Sequence, residues 1–372
     1  MPVSDRVINF GAGPATLPVP VLEQLQRDLV SLPGLGVSPL EISHRSAWFR
    51  DVLDEADGNL RTLLGVPATH HIAFCQGGAT LQFSMVPMNL LRGSHRAAEY
   101  IVTGSWGAKA AREAIKEGPV REVWSGAEDF TRVPAAHEAR LSTDAAYLHV
   151  TTNETIEGVQ WPSLPDAPAG VPLVADASSD FLSRPIDFAR LDLLYAGAQK
   201  NAGPAGVAIV IARREVLDRA PDGLPTLLDY RTFVEHDSLY NTPPVFSVYV
   251  VMLVTRWLLD EVGGLAEQER RSRVKASRLY DAIDASDGFY RGHAESGSRS
   301  TMNVTFRLPT EALDARFVAD ADARGLAGLK GHRSVGGVRA SLYNALSIDG
   351  VEALAGFMDE FAGAHRGLGS DG

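Results

Sequence analysis

From residue 70 to residue 212, short apolar runs alternate with stretches of helical periodicity, the alternation that an α/β sheet covered by helices on both faces requires. Candidate strands lie at 71–75, 99–103, 146–151, 172–176, 192–195 and 206–212. The last two are joined by a short link, whereas a parallel pair needs a crossover of roughly a dozen residues or more. The final strand is therefore expected to run antiparallel. Residues 241–244 read as an extended connector to an apolar helix over 245–259, which Gly263-Gly264 would end. A charged helix over 267–285 and the alternation Met302-Asn-Val-Thr-Phe306 follow. These predict a large α/β domain with a mostly parallel, mixed sheet over 17–262. A smaller α+β domain takes 263–372 together with the first 16 residues. The tail, 367–372, is expected to fray.

Length and composition exclude several classes of function. The 372 residues supply ample core for two domains. A net charge of −11 argues against a general nucleic-acid or anionic-membrane surface. One cysteine, Cys75, allows neither an internal disulfide nor a thiolate metal cluster and suits a reducing cytoplasm. The start lacks the apolar core of a signal peptide, and the 245–259 run is too short for a membrane span and contains Thr255 and Arg256. The ten histidines show no HExxH-type spacing, so no metal site is expected. Gly11-Ala-Gly-Pro-Ala-Thr fails the dinucleotide fingerprint, with proline in its middle and no long strand before it.

Chemistry points to Lys200, which sits in Tyr195-Ala-Gly-Ala-Gln-Lys-Asn-Ala-Gly-Pro-Ala-Gly, between two core strands. Small residues on both sides let a ligand approach the backbone. A lysine that forms a Schiff base needs burial to bring its pKa down from about 10.4. Enzymes that use pyridoxal phosphate (PLP) add a carboxylate for the pyridine nitrogen, an aromatic face for the ring and a cradle for the phosphate. Asp176, at the end of a strand, is a candidate carboxylate, or else caps a helix beginning at 177. Trp106 is a candidate face, or else a core tryptophan. Thr80 stands at a helix start and Thr155 in a turn, where each has an ordinary structural reading. Two His-Arg pairs, His44-Arg45 and His332-Arg333, with Arg339 beyond the second, offer anion-binding forks or else surface ion pairs.

Taken in order, these segments resemble the phosphoserine aminotransferase family, a branch of class V of the fold-type I PLP enzymes. The likeness is carried by Asn9-Phe-Gly-Ala-Gly-Pro-Ala, Ser43-His-Arg-Ser, Val86-Pro-Met-Asn-Leu, Gly104-Ser-Trp-Gly-Ala-Lys-Ala, Asn153-Glu-Thr-Ile-Glu-Gly, Ala175-Asp-Ala-Ser-Ser, the Lys200 segment, Tyr240-Asn-Thr-Pro-Pro and Gly331-His-Arg-Ser-Val-Gly-Gly-Val-Arg. The resemblance implies that Lys200 bonds to PLP, Asp176 holds its ring nitrogen protonated, Trp106 stacks on the ring and Thr155 meets its phenolic oxygen. It places Ala79, Thr80 and Gln199 at the cofactor phosphate, joined by Asn241 and Thr242 of a second subunit in a homodimer. Arg339 would hold the amino-acid carboxylate. His44 and Arg45 of the neighbouring subunit, with His332 and Arg333, would hold the substrate phosphate or the side-chain carboxylate of L-glutamate. The implied reaction passes the amino group between glutamate and a phosphorylated 2-oxo acid, 3-phosphohydroxypyruvate. A related phosphorylated four-carbon substrate of vitamin B6 synthesis is a further possibility that the resemblance raises. The departure is Thr80, where a well-known bacterial pattern carries arginine.

Overall fold

The computed structural model describes residues 6–126 and 129–365. The tail read as fraying, 367–372, lies outside them. A seven-stranded sheet runs in the order His70–Gln76, Val207–Arg213, Leu193–Gly197, Leu173–Asp176, Leu148–Thr151, Ala98–Val102 and Val120–Ser125. Val207–Arg213 is antiparallel to both of its neighbours, and the strands from Leu193–Gly197 to Val120–Ser125 pair in parallel. The expected antiparallel turn around Lys200 is therefore present. Central strands such as Val207–Arg213 are apolar along almost their whole length because helices cover both faces.

On one face, Ala47–Leu64 directs Phe49, Val52, Leu53, Ala56 and Leu60 at helical spacing into a core shared with Val248 to Val254 of the helix Val245–Trp257. Ser46 caps the first helix by accepting the Phe49 N–H at 3.2 Å, and Gly65 ends it at φ 63°. The other face packs Phe83, Val86, Ala110 and Ala114 from Ala79–Leu90 and Ser105–Ala114 over Tyr100 and Tyr195. The apolar helix ends at Gly263, and the charged helix begins at Leu265.

A third core gathers Phe10 with Leu279, Phe306, Phe317, Leu354 and Phe361. It underlies the antiparallel strands Arg291–Gly292, Asn303–Arg307 and Val338–Ser341. The short strand Ile8–Asn9 pairs with Leu326–Ala327, tying the start of the chain to this core. No helix among the described residues is long and apolar enough to cross a membrane.

Candidate active site

The carboxyl ends of the parallel strands converge because their registers do. Thr151 lies opposite Asp176, and Asp176 opposite Tyr195, so that the loops leaving these strands open on one crevice. After Gly197 the chain turns through 198–203, closed by the Gly203 N–H to the Ala198 carbonyl at 2.8 Å. Gly203 is needed there, since a Cβ would lie 3.0 Å from the Val251 side chain. Lys200 rides on this turn and donates from Nζ to Thr155 Oγ1 at 2.6 Å. Burial lowers the Lys200 pKa to about 8; Asp176 opposes that shift and Arg339 adds to it.

Asp176 is 4% exposed. Its Oδ1 accepts from the Ser178 N–H at 2.9 Å and the Ser178 hydroxyl at 2.6 Å. Burial pushes the Asp176 carboxyl above the usual range, against those two bonds and the pull of Lys200. The alternative reading as a helix cap is half realised: the side chain closes a turn, but no helix begins at 177.

Trp106 is the second residue of Ser105–Ala114, and Lys200 Nζ lies 5.6 Å from its ring centroid. Its indole Nε1 is buried without a partner. Gly78, Ala79, Thr80, Trp106, Thr155, Asp176, Gln199 and Lys200 line one cavity. Gly197 lies beneath it, and a Cβ there would come within 3.4 Å of the Ala79 N–H and of Gln199 Oε1. Thr80 is exposed at the start of Ala79–Leu90, a helix whose N-cap, Gly78, offers no capping side chain.

A second cavity adjoins the first across the Ser105–Ala114 helix. It is lined by Ser105, Lys109 and Arg112 from that helix and by His332, Arg333 and Ser334 opposite, with Glu122 at its border. Arg339 reaches from Val338–Ser341 to place NH1 3.5 Å from the Thr155 carbonyl, joining the two regions. The structure thus brings together every predicted residue except two pairs. Asn241 and Thr242 lie against Gln76, whose amide donates to Asn241 Oδ1 at 3.0 Å and to the Thr242 carbonyl at 3.4 Å, and neither lines the Lys200 cavity. His44 and Arg45 precede the Ala47–Leu64 helix and line neither cavity; His44 Nε2 is buried without a partner and Arg45 is exposed.

Sequence reasoning missed three contributors. Lys109 stands over the Trp106 ring, with Nζ 3.9 Å from its centroid. Its position three residues after Trp106 on a helix was the available signal. Glu154 and Glu157 bind the first N–H groups of the Trp106 helix, a long-range contact with no local pattern. The segment 9–15 crosses the lysine turn: the Ala15 N–H donates to the Gln199 carbonyl at 2.8 Å, and a Cβ on Gly13 would lie 3.5 Å from Lys200 Cγ.

Comparison with known proteins finds likeness over nearly the whole chain. The family model for class V aminotransferases matches residues 7–354. A phosphoserine aminotransferase of Rhodopirellula baltica is 52% identical over 359 residues, covering 96% of each chain. The solved phosphoserine aminotransferase from Bacillus circulans subsp. alkalophilus superposes with a TM-score of 0.94 at 48% identity, covering 97% of this chain and 99% of that one. The PLP-bound phosphoserine aminotransferase from Trichomonas vaginalis gives a TM-score of 0.90 at 38% identity, covering 95% of this chain and 100% of that one.

Proposed function

Since the chain belongs to the class V aminotransferases, we propose that the Lys200 cavity transfers an amino group between L-glutamate and 3-phosphohydroxypyruvate, giving O-phospho-L-serine and 2-oxoglutarate for serine biosynthesis. The observation that carries this reading is that one helix, Ser105–Ala114, borders both cavities. It presents Trp106 to the amine site and Lys109 and Arg112 to the basic site facing His332 and Arg333.

The pocket fits PLP on its own chemistry. Ser178 engages only Oδ1 of Asp176, so Oδ2 is available to a ring N–H. The first N–H groups of Ala79–Leu90 suit a phosphate at a helix end, with Thr80 and Gln199 adding neutral donors where an arginine is missing. Bound there, PLP would supply an aldehyde able to carry the amino group and a protonated ring able to withdraw electrons. Lys200 Nζ, neutral above about pH 8, takes the α-proton from the substrate carbon. Asp176 would hold a proton on the ring nitrogen, Trp106 would pack against the ring, and the Thr155 hydroxyl, which now accepts from Lys200, would be free to bond the cofactor.

Arg339 holds the α-carboxylate, and His332 and Arg333 hold the distal anion, a phosphate in one substrate and a carboxylate in the other. Serine and alanine leave those cations unpaired and are rejected for that reason. A phosphorylated four-carbon 2-oxo acid presents the same two anions and is a second substrate that the cavity would accept. The test is amino transfer to 2-oxoglutarate from O-phospho-L-serine, L-serine and L-alanine. O-Phospho-L-serine should exceed the others in kcat/KM by at least about 100-fold. Equal rates with alanine would exclude the phosphorylated substrate.

Uptake of PLP by the apoenzyme should follow the Lys200 amine. Below about pH 8 the amine is protonated, so the rate of attachment should fall about tenfold for each further unit of acidity and level off above that pH. Stopped-flow absorbance measures it, and a flat profile between pH 6 and 9 contradicts the assignment of the buried amine.

The active sites are shared across a homodimer in this proposal, with His44, Arg45, Asn241 and Thr242 serving the neighbouring copy's site. The support is that none of the four lines either of these two cavities in its own protomer, while His44 Nε2 is buried without a partner. Mixing inactive Lys200→Ala and Arg45→Ala proteins under subunit exchange should then restore turnover, since one site of each mixed dimer is intact. No recovery despite proven exchange contradicts a shared site. We assign residues 17–262 to a cofactor-binding domain and 263–372, with the first 16, to a small domain, supported by the separate core around Phe10 and Phe317.

A further inference from the structure

We infer that Glu154 is a positioning residue, which locks Trp106 over the Lys200 cavity by holding the peptide N–H groups beneath its ring. The inference rests on the reading of that cavity as the PLP site. Glu154 is 0% exposed and lies in a short hairpin, Asn153–Glu154 paired with Val159–Gln160. Its Oε2 accepts the Trp106 N–H at 3.0 Å and its Oε1 the Gly107 N–H at 2.9 Å. Glu157, from the same hairpin, accepts the Ser105 N–H at 3.1 Å and the Ser105 hydroxyl through its Oε1. Three successive N–H groups at the start of the Trp106 helix are therefore bound by carboxyls from one loop.

Helix capping alone does not require this. An ordinary cap is a serine, threonine or aspartate at the helix end, half in water. Glu154 is instead buried, and among the described residues it has no cation at ion-pair distance and its carboxyl accepts from these two peptide N–H groups alone. Burial and the neighbouring Glu157 push its carboxyl well above the usual range. A buried carboxyl in that state is costly relative to an apolar residue of the same volume, so stability does not account for its presence. The backbone has also been shaped around it. A Cβ on Gly104 would lie 2.4 Å from Glu154 Cγ and Cδ, so only glycine lets the carboxyl reach the helix.

What the arrangement does secure is a fixed relation between two active-site groups. Thr155, the next residue along, meets Lys200 Nζ at 2.6 Å, while Glu154 holds Trp106, whose ring centroid lies 5.6 Å from the same nitrogen. The ring face and the hydroxyl are thereby carried by one rigid turn.

The test is PLP affinity of the apoenzyme, read by fluorescence titration, in Glu154→Ala and Glu154→Gln proteins, each also combined with Trp106→Ala. Thermal unfolding is measured alongside. With Trp106 present, Glu154→Ala should weaken PLP binding about tenfold, the size of one buried hydrogen bond, and Glu154→Gln less, because its amide keeps one acceptor. In the Trp106→Ala background the Glu154 changes should cost nothing further. The visible circular dichroism of bound PLP should fall in the Glu154 single variants. Equal losses in both backgrounds, or no loss in either, overturn the inference and leave Glu154 a structural residue. Should Glu154→Ala fail to fold, the glutamine pair decides alone. A wild-type apoenzyme that takes up no PLP contradicts the proposed function itself.

Discussion

Replacing Lys200 by alanine is expected to lower turnover by at least about 10⁴-fold, because in the proposed reaction one side chain both bonds to the cofactor and moves the α-proton. The lysine sits where such a loss cannot be made good by a neighbour. Among the described residues, Lys200 is the one lysine lining its cavity; Lys109 stands over the Trp106 ring and borders the other cavity. The variant should keep its fold, since Lys200 makes one side-chain hydrogen bond, to Thr155, and its removal relieves a buried amine. It should still bind PLP without the covalent bond, through Asp176, the Trp106 ring and the Ala79 helix end. Steady-state assay and the spectrum of the bound cofactor report the two effects separately. Turnover within tenfold of wild type would remove Lys200 from the mechanism.

The second large effect is expected at Asp176. Asparagine there retains the shape and one acceptor for Ser178 but removes the charge that, in the proposed function, keeps a proton on the ring nitrogen. Because the group is only 4% exposed, its field acts in a poorly screened site, and kcat should fall by about 10²–10³-fold with a smaller change in KM. The same burial reverses the sign for stability. A desolvated carboxyl facing an empty cavity costs the apoenzyme free energy, so the Asp176→Asn apoprotein should melt no lower than wild type. Reduced activity with a lowered melting temperature would indicate a structural role for Asp176 in place of a chemical one.

Much of this was legible in the chain because buried parallel strands announce themselves. Runs such as Val207–Arg213 are apolar on both faces, and the short link before it forced the antiparallel pairing seen with Leu193–Gly197. The edge strand Val120–Ser125 escaped notice for the opposite reason. It is covered less completely and carries Arg121 and Glu122, so its pattern is not that of a core strand. Strand ends also moved: Gly197, read as part of the loop, belongs to the strand because its position opposite Ala208 extends the ladder.

Among the site residues, those fixed by local geometry were the readable ones. Asp176 ends a strand and Lys200 and Trp106 each follow one, and their loops meet on one crevice. Glu154 and Glu157 act on a helix some fifty residues away, which no spacing rule reveals. Lys109 needed only helical periodicity from Trp106, but a lone lysine on a helix is usually solvated. His44, Arg45, Asn241 and Thr242 line neither cavity of their own chain, and the proposed sharing of sites with a second copy would account for that.

The central claim, that a lysine-bound PLP and a neighbouring anion site act on one phosphorylated amino acid, is tested most directly by the visible absorbance of the purified holoenzyme. Spectra are taken before and after O-phospho-L-serine, with L-serine and L-alanine as controls. The account predicts that the band of the lysine-bound cofactor is lost with O-phospho-L-serine and persists with the other two. Loss of the band with alanine or serine, and not with O-phospho-L-serine, would contradict it.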